Sequence, residues 1–247
     1  MPKSLSLVSW AFNEEEEIRD FLTRSQNFMD RLGLDYEHIL IEDGSADRTL
    51  QIAREVQLTY PQLRVIPNGK NEGVGKATRK AISLATKEVL FWQTVDWAYD
   101  ISNLREYLPF LNSFDVVQGY RPPGFYQRSD NFVKGCISLC NYLLIRTLFR
   151  LPLKDYQNVT LYPTRLAQSI HCESHSSFTN PELLLKARWK GATFKQVPIA
   201  FIPRKRGRAK GTKLTSILAS LRQIFYFWFK WMVLGLHSDP LPSILER

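Results

Sequence analysis

The first hundred residues alternate short apolar runs with amphipathic ones, and each apolar run breaks into a polar loop. That alternation admits few folds. Strands joined by single crossover helices pair in parallel, and a parallel sheet needs helices on both faces. The pattern predicts strands over Leu5–Ala11, Tyr36–Ile41, Leu63–Pro67 and Glu88–Gln93. Helices are expected between them, over Glu14–Arg31, Arg48–Thr59 and Lys76–Thr86. Asn13 is the expected N-cap of the first helix, and Glu14 to Glu17 suit the positive end of its dipole.

Beyond Asp100 the alternation loosens. A strand is expected at Phe114–Gln118, a long helix at Asn131–Leu151, and a short strand within Asp155–Tyr162. A helix follows at Pro181–Trp189, then a strand at Thr193–Ile202 that Pro198 assigns to an edge or bulge. The last helix, Leu214 to about Leu236, carries Leu214, Ile217, Leu218, Leu221, Ile224, Phe225, Trp228, Phe229 and Met232 at amphipathic spacing. Arg222 and Lys230 fall off that stripe, and Phe227 and Trp231 widen the apolar face. With 247 residues, the reading is one α/β domain over residues 1–213 and an amphipathic helix and tail over 214–247.

The loops carry the chemistry. The first strand ends in Trp10-Ala11-Phe12-Asn13-Glu14, the second in Glu42-Asp43-Gly44-Ser45-Ala46-Asp47-Arg48-Thr49. The loop after the third is Asn71-Glu72-Gly73-Val74-Gly75-Lys76-Ala77, and the fourth strand runs into Thr94-Val95-Asp96. In an open parallel sheet these loops share the carboxyl edge, where ligands bind. Acids there accept hydrogen bonds from a base or ribose, and Gly73 and Gly75 allow close backbone approach. A carboxylate just past a strand end, Asp96, can hold a divalent cation against a diphosphate. Equally, Asp96 and Asp100 can cap a following helix.

Rival motifs fail on spacing. Thr78 stands where a dinucleotide fingerprint needs its third glycine, and Lys70 where a P-loop needs its first. Cys136 and Cys140 lie one helical turn apart without a second pair, and read as small buried hydrophobes. His171-Cys172-Glu173-Ser174-His175 offers zinc-ligand types in a polar loop, a weak signal.

A net charge of +9 implies an anionic partner. Six of its cations crowd Arg204 to Lys213. That run is a solvated loop, a nucleic-acid patch or a phosphate clamp. No aromatic interleaving or reading helix supports nucleic acid, so none is expected as partner. The last helix packs as core, against a partner subunit, or in a membrane interface beside the basic loop. Oligomeric state is not legible. Three cysteines fit a reducing compartment, and the chain opens on a strand without a leader-like segment. No window of ~20 residues is apolar enough to span a bilayer.

The loops resemble those of the family 2 glycosyltransferases with a GT-A fold, most of all the dolichyl- and polyprenyl-phosphate sugar synthases. That family has Pro-Ala-Tyr-Asn-Glu where this chain has Trp10-Ala11-Phe12-Asn13-Glu14, and Asp-Asp-Gly-Ser-x-Asp-x-Thr where it has Glu42 to Thr49. The family's Asn-x-Gly-x-Gly-x-Ala is matched from Asn71 to Ala77. Gly119-Tyr120-Arg121, Asp155 with Gln157, Val197-Pro198-Ile199 and Arg204-x-x-Gly207 ending in Lys213-Leu214 resemble later family segments. The likeness implies a Rossmann-like, mostly parallel sheet flanked by helices. It implies inverting transfer of a sugar from a nucleotide diphosphate sugar to a polyprenyl phosphate, at the cytoplasmic face of a membrane. Ala11, Phe12, Glu14, Glu42, Asp43, Gly73, Gly75 and Lys76 would hold the donor. Asp96 would hold Mg²⁺ or Mn²⁺, and Arg121, Arg204 and Lys213 would stabilise phosphate charge. A hydroxyl acceptor would need a base, for which Asp155 or Glu182 is the candidate. The alternatives are a soluble glycosyltransferase acting on such a hydroxyl, or a nucleotide-binding scaffold. The family's Asp-x-Asp metal motif falls on Thr94, Val95 and Asp96, with Ala98 where a further polar ligand belongs. One carboxylate remains, so metal binding is expected to be weak without nucleotide.

Overall fold

The computed structural model describes residues 1–122, 132–202 and 214–236. Its first half is the expected alternation. Strands β1 (Ser4–Ala11), β2 (Asp35–Glu42), β3 (Leu63–Pro67) and β4 (Val89–Trp92) are separated by helices α1 (Ile18–Leu32), α2 (Thr49–Thr59) and α3 (Val74–Leu84). The strands lie in the order β3-β2-β1-β4, all parallel. Apolar side chains alternate between the faces, as the two-residue period requires. Leu5, Leu7 and Leu40 pack with Phe21, Leu22 and Met29 of α1. Val8, Ile39 and Ile41 pack on the other face with Ala77 and Ala81 of α3.

The second half completes the sheet with one reversal. It comprises α4 (Leu104–Tyr107), a 3₁₀ turn (Leu108–Asn112), β5 (Val116–Tyr120), α5 (Phe132–Leu148), β6 (Thr160–Pro163), α6 (Thr164–Ser169), α7 (Thr179–Trp189), β7 (Phe194–Pro198) and α8 (Leu214–Trp228). Strand β6 lies antiparallel between β4 and β5, and β7 pairs parallel to β5. The two antiparallel steps cancel, so β5 and β7 run the same way as β1 to β4. The loops that follow these six strands therefore emerge at one edge. Pro198 ends β7, an edge strand of the order β3-β2-β1-β4-β6-β5-β7, where its missing N–H is harmless.

Two local expectations are corrected. Asn13 does not cap α1, whose cap position is Glu17. It adopts a left-handed φ of 52° and latches two loops together. Its Oδ1 accepts from Ala46 N–H at 2.9 Å, and its own N–H donates to Ser45 Oγ at 3.0 Å. Cys140 is exposed on α5 rather than buried.

Helix α8 ends in a π-helical turn, Phe229–Val233, and is seated differently from its apolar stripe. Ile224, Phe227 and Trp231 are buried, whereas Phe225 and Phe229 are about half exposed, as is Tyr226. The helix is apolar on both sides, and the ring stack decides which side goes in. Trp231 stacks on Phe227 at 4.5 Å and on Phe178 at 6.2 Å. Lys230 also turns inward, to an ion pair with Glu173. Leu139 and Leu143 of α5 are exposed apolar residues too. Among the described residues, no helix is long and apolar enough to cross a membrane.

Candidate active site

The edge at which the six strands end is built by loops that hold one another. Ala11 is buried, and its carbonyl accepts Asp43 N–H at 2.8 Å. Phe12 is half-buried beside it. Glu14 N–H donates to Thr49 Oγ1 at 2.8 Å, fixing the first loop to the start of α2. Glu42 is buried, and its Oε1 accepts Ser45 N–H at 2.6 Å.

Asp43 is the organiser of the third loop. Its Oδ1 accepts from Asn68 Nδ2 at 2.8 Å and Glu72 N–H at 3.0 Å, and its Oδ2 from Gly73 N–H at 2.9 Å. A carboxylate has about four acceptor positions, so these three do not exhaust it. Two glycines are demanded by loop-on-loop packing. A Cβ on Gly44, at φ 72°, would lie 2.4 Å from the Lys70 carbonyl carbon. A Cβ on Gly75 would lie 2.4 Å from that of His175. Gly75 thus makes room for the 171–176 loop. Gly73, at φ 85°, meets only His175 O at 3.7 Å. Lys76 is exposed and pairs with Glu72 at 3.5 Å.

After β4 the chain makes a tight turn. Trp97 N–H donates to Thr94 O at 2.9 Å, and Ala98 N–H to Thr94 Oγ1 at 3.2 Å. Fully buried Gln93 braces the turn, accepting Thr94 N–H at 3.0 Å and donating to Tyr99 O at 2.8 Å. Asp96 is half-buried at the tip. Beyond the turn, Asp100 N–H donates to Ala200 O at 2.9 Å, and Ile202 N–H to Ala98 O at 2.8 Å. The segment that leads into the basic loop is thereby stitched to the Asp96 loop, two residues before Arg204. Sequence reasoning missed this pairing; the matched aromatics Tyr99 and Phe201, edge to face at 6.0 Å, are its one trace. Arg204 and Lys213 themselves lie outside the described residues.

At the end of β5, Arg121 grips Asp155 with two nitrogens, Nε at 2.8 Å and Nη2 at 3.3 Å. Buried Asp155 also accepts Tyr156 N–H at 2.8 Å and Gln157 N–H at 3.0 Å. Glu182, the other candidate base, is fully buried. It accepts Glu173 N–H at 2.7 Å and Ser174 N–H at 2.8 Å, and pairs with Lys186 at 2.9 Å. Both carboxylates are committed to internal partners.

The His171–His175 run is also engaged. Arg79 donates to His175 Nδ1 at 2.8 Å, to Cys172 O at 3.2 Å and to Ser174 O. Burial works against ionisation of Glu173, but hydrogen bonds from Lys230 and Lys186 outweigh it and hold the carboxyl below its usual range. Arg79, His171, Cys172, Glu173 and His175 line a cleft of about 630 Å³ between α3 and α6–α7, apart from the Asp96 loop.

Among the described residues, no group of three or more His, Cys, Asp or Glu is placed to hold a metal. Thr94 spends its hydroxyl on Ala98 N–H. One half-buried carboxylate at the ligand edge fits a cation that takes its remaining oxygens from a bound diphosphate and water, and not a site closed by protein.

With this edge in place, the comparison with known proteins is decisive for family. Residues 6–167 match the model of Glycosyl transferase family 2. The chain belongs to that family. As a family 2 chain it is 26% identical over 214 residues to an undecaprenyl-phosphate 4-deoxy-4-formamido-L-arabinose transferase of Edwardsiella ictaluri, covering 83% of this chain and 62% of the relative. It is 29% identical over 122 residues to a dolichol-phosphate mannosyltransferase of Pyrococcus furiosus, covering 47% of this chain and 33% of the relative. The chain therefore spans less than two thirds of the length of these family 2 relatives. Its fold matches glucosyl-3-phosphoglycerate synthase of Mycobacterium tuberculosis, solved with Mn²⁺, uridine-diphosphate and phosphoglyceric acid. The TM-score is 0.61 at 18% identity, over 92% of this chain and 78% of that one. The seven-stranded sheet with helices on both faces is thus the GT-A arrangement of family 2 enzymes.

Proposed function

We propose that the chain is an inverting glycosyltransferase that moves a sugar from a nucleotide diphosphate sugar to a polyprenyl phosphate at a membrane surface. The observation that carries this reading is the stitching of Ala98–Asp100 to Ala200–Ile202. It joins the segment that precedes the basic run to the loop that carries Asp96, which supports a shared role for the two at the donor. In the reaction, an oxygen of the acceptor phosphate attacks the anomeric carbon. The bond from that carbon to the diphosphate breaks, and the nucleoside diphosphate leaves with the electron pair. A single displacement inverts the configuration.

The donor's base and ribose are assigned to the loops of Ala11, Phe12, Glu14, Glu42, Asp43, Gly73, Gly75 and Lys76. Asp96 is the residue assigned to Mg²⁺ or Mn²⁺, which when bound neutralises charge on the diphosphate. Arg121, held by Asp155 at the end of β5, is assigned to phosphate charge. Arg204 and Lys213 are assigned to phosphate charge by the likeness of Arg204-x-x-Gly207 and Lys213-Leu214 to the family's basic segment.

A phosphate acceptor is already an anion at neutral pH, and no base has to take its proton. The internal engagement of Asp155 and Glu182 supports that acceptor over a hydroxyl. The likeness to an undecaprenyl-phosphate sugar transferase and a dolichol-phosphate mannosyltransferase supports it as well. The exposed aromatics of α8 support a membrane-interface seat at the cytoplasmic face, and the six cations within residues 204–213 would add attraction to anionic headgroups.

The test is incubation of purified protein with labelled UDP- and GDP-sugars, polyprenyl phosphate and Mg²⁺ or Mn²⁺. A lipid-linked product that needs the phosphate is expected. Sugar transfer to a water-soluble hydroxyl acceptor, with none to lipid, would overturn the acceptor assignment.

A further inference from the structure

We infer that Trp97 is a positioning residue for the Asp96 carboxylate, pinning the tip of the β4 loop to helix α1. The inference rests on the proposed role of Asp96 at the donor diphosphate.

The starting observation is a backbone conformation. Trp97 has φ 49°. The left-handed region is crowded for any residue with a Cβ, and is populated mainly by glycine, asparagine and aspartate. A bulky aromatic residue there is an outlier, and such outliers persist where the surroundings over-determine them. The surroundings do so here. The Trp97 indole is only 8% exposed. It meets Phe21 edge to face at 6.1 Å and Phe28 at 6.2 Å, and the Arg24 guanidinium lies 4.1 Å above its ring. Residues 21, 24 and 28 share one face of α1 by helical spacing, so a single helix face forms the seat.

The backbone around Asp96 is fixed on both sides. Thr94 accepts Trp97 N–H through its carbonyl and Ala98 N–H through its hydroxyl. Val95 and Trp97 both turn into the core on the α1 side of the sheet. Asp96, between them, is left half-buried at the edge. Functional groups need to be held within about 0.5 Å of their working geometry. The indole seat supplies that hold.

The test compares Trp97→Phe, Trp97→Gly, Arg24→Ala, Asp96→Asn and Met29→Ala. Trp97→Gly permits the same φ without strain, so it separates the indole's contribution from the backbone's. Met29 is buried in the same cluster on α1 and reports plain loss of stability. Bound Mn²⁺ is measured by electron paramagnetic resonance with UDP or GDP, whichever raises the wild-type Tm more, alongside circular dichroism.

Both Trp97 variants are expected to fold and to bind Mn²⁺ with nucleotide about tenfold more weakly. Arg24→Ala is expected to show a smaller loss at nearly unchanged Tm. Met29→Ala is expected to lower Tm and leave the Mn²⁺ titration unchanged. Folded Trp97 variants with wild-type Mn²⁺ affinity, while Asp96→Asn loses it, would overturn this inference alone. Should the Trp97 variants fail to fold, unchanged binding in Arg24→Ala would overturn it. Wild-type binding in Asp96→Asn would overturn the role of Asp96 and this inference with it.

Discussion

Arg121 and Asp155 form a two-point ion pair at the end of β5, with Asp155 almost wholly buried and Arg121 partly so. Asp155 also collects the N–H groups of Tyr156 and Gln157, so it shapes the turn entering β6. Removing one partner of such a pair strands the other charge. Asp155→Ala is expected to cost about 3 kcal/mol, read as a lower urea midpoint at unchanged m.

Lys186 presents a sharper case. Its side chain is fully buried between Glu182 at 2.9 Å and Glu173 at 3.2 Å, with its ammonium 4.8 Å from the Trp231 ring and donating to His171 O at 2.6 Å. Lys186→Met strands the buried Glu182 carboxylate without its cation, while Glu173 keeps Lys230. A loss of about 3–5 kcal/mol is expected in chemical denaturation. The double variant Lys186→Met, Glu182→Gln is expected to recover part of it, since one stranded charge goes with its partner.

The first half of the fold was legible because each element repeats one local code. A strand ends, a Gly or acid turns the chain, and a helix follows; β3 fell on the predicted residues. The reversal at β6 left no such mark, because Thr160–Pro163 is too short to carry a direction. Asn13 misled because asparagine serves equally as an N-cap and as a left-handed latch, and the choice is made by Ser45 and Ala46, more than thirty residues away. Lys230 falls off the apolar stripe of the last helix, yet it turns inward. Its partner Glu173 is remote in sequence, and no local pattern announces the pair. The candidate site shows the same split. Its loops were readable as motifs, while the link from Ala98 to Ile202 depends on two distant strands meeting at one edge.

Buried His38 gives the fold a defined acid sensitivity. Its ring lies between Ser9 Oγ at 3.0 Å and Gln26 Nε2 at 2.9 Å. Burial lowers its pKa from the ordinary 6.5 to about 3. Below pH 6.5 the unfolded chain binds a proton here that the folded chain refuses, so stability falls as pH falls, until the folded pKa near 3. The slope is about 1.4 kcal/mol per pH unit. The window from pH 6.5 to 5 lies above the titration of ordinary carboxylates, and comparison with His38→Gln separates this group from the other three histidines. Urea midpoints should decline across it in wild type, and His38→Gln should flatten the decline.

Thr94 stands where a second metal carboxylate would stand, and its hydroxyl caps Ala98 N–H at 3.2 Å. Aspartate can make the same cap through one oxygen and present the other to a cation. Thr94→Asp is therefore expected to keep the turn and tighten Mn²⁺ binding in the presence of nucleotide by about tenfold, measured by calorimetry. Unchanged affinity would mean that the tip of this loop is not where the cation sits.

The outer face of α8 separates stability from membrane contact. Phe225 is 47% exposed and Phe229 51%, and the buried ring stack of Phe178, Phe227 and Trp231 lies on the opposite side. Replacing exposed side chains away from core contacts changes folding stability by about 0.5 kcal/mol or less. Burial in an interface does use them, at about 25 cal/mol per Å² of apolar surface. Phe225→Ser with Phe229→Ser is thus expected to leave the Tm nearly unchanged. The same double variant should lower co-sedimentation with anionic phospholipid vesicles by about tenfold, on the area those two rings would bury. Raised salt should weaken wild-type binding further through the basic loop, because headgroup attraction is screened over about 10 Å at 0.1 M. Full vesicle binding by the double variant would separate α8 from the membrane and return its aromatic face to contact with another protein surface.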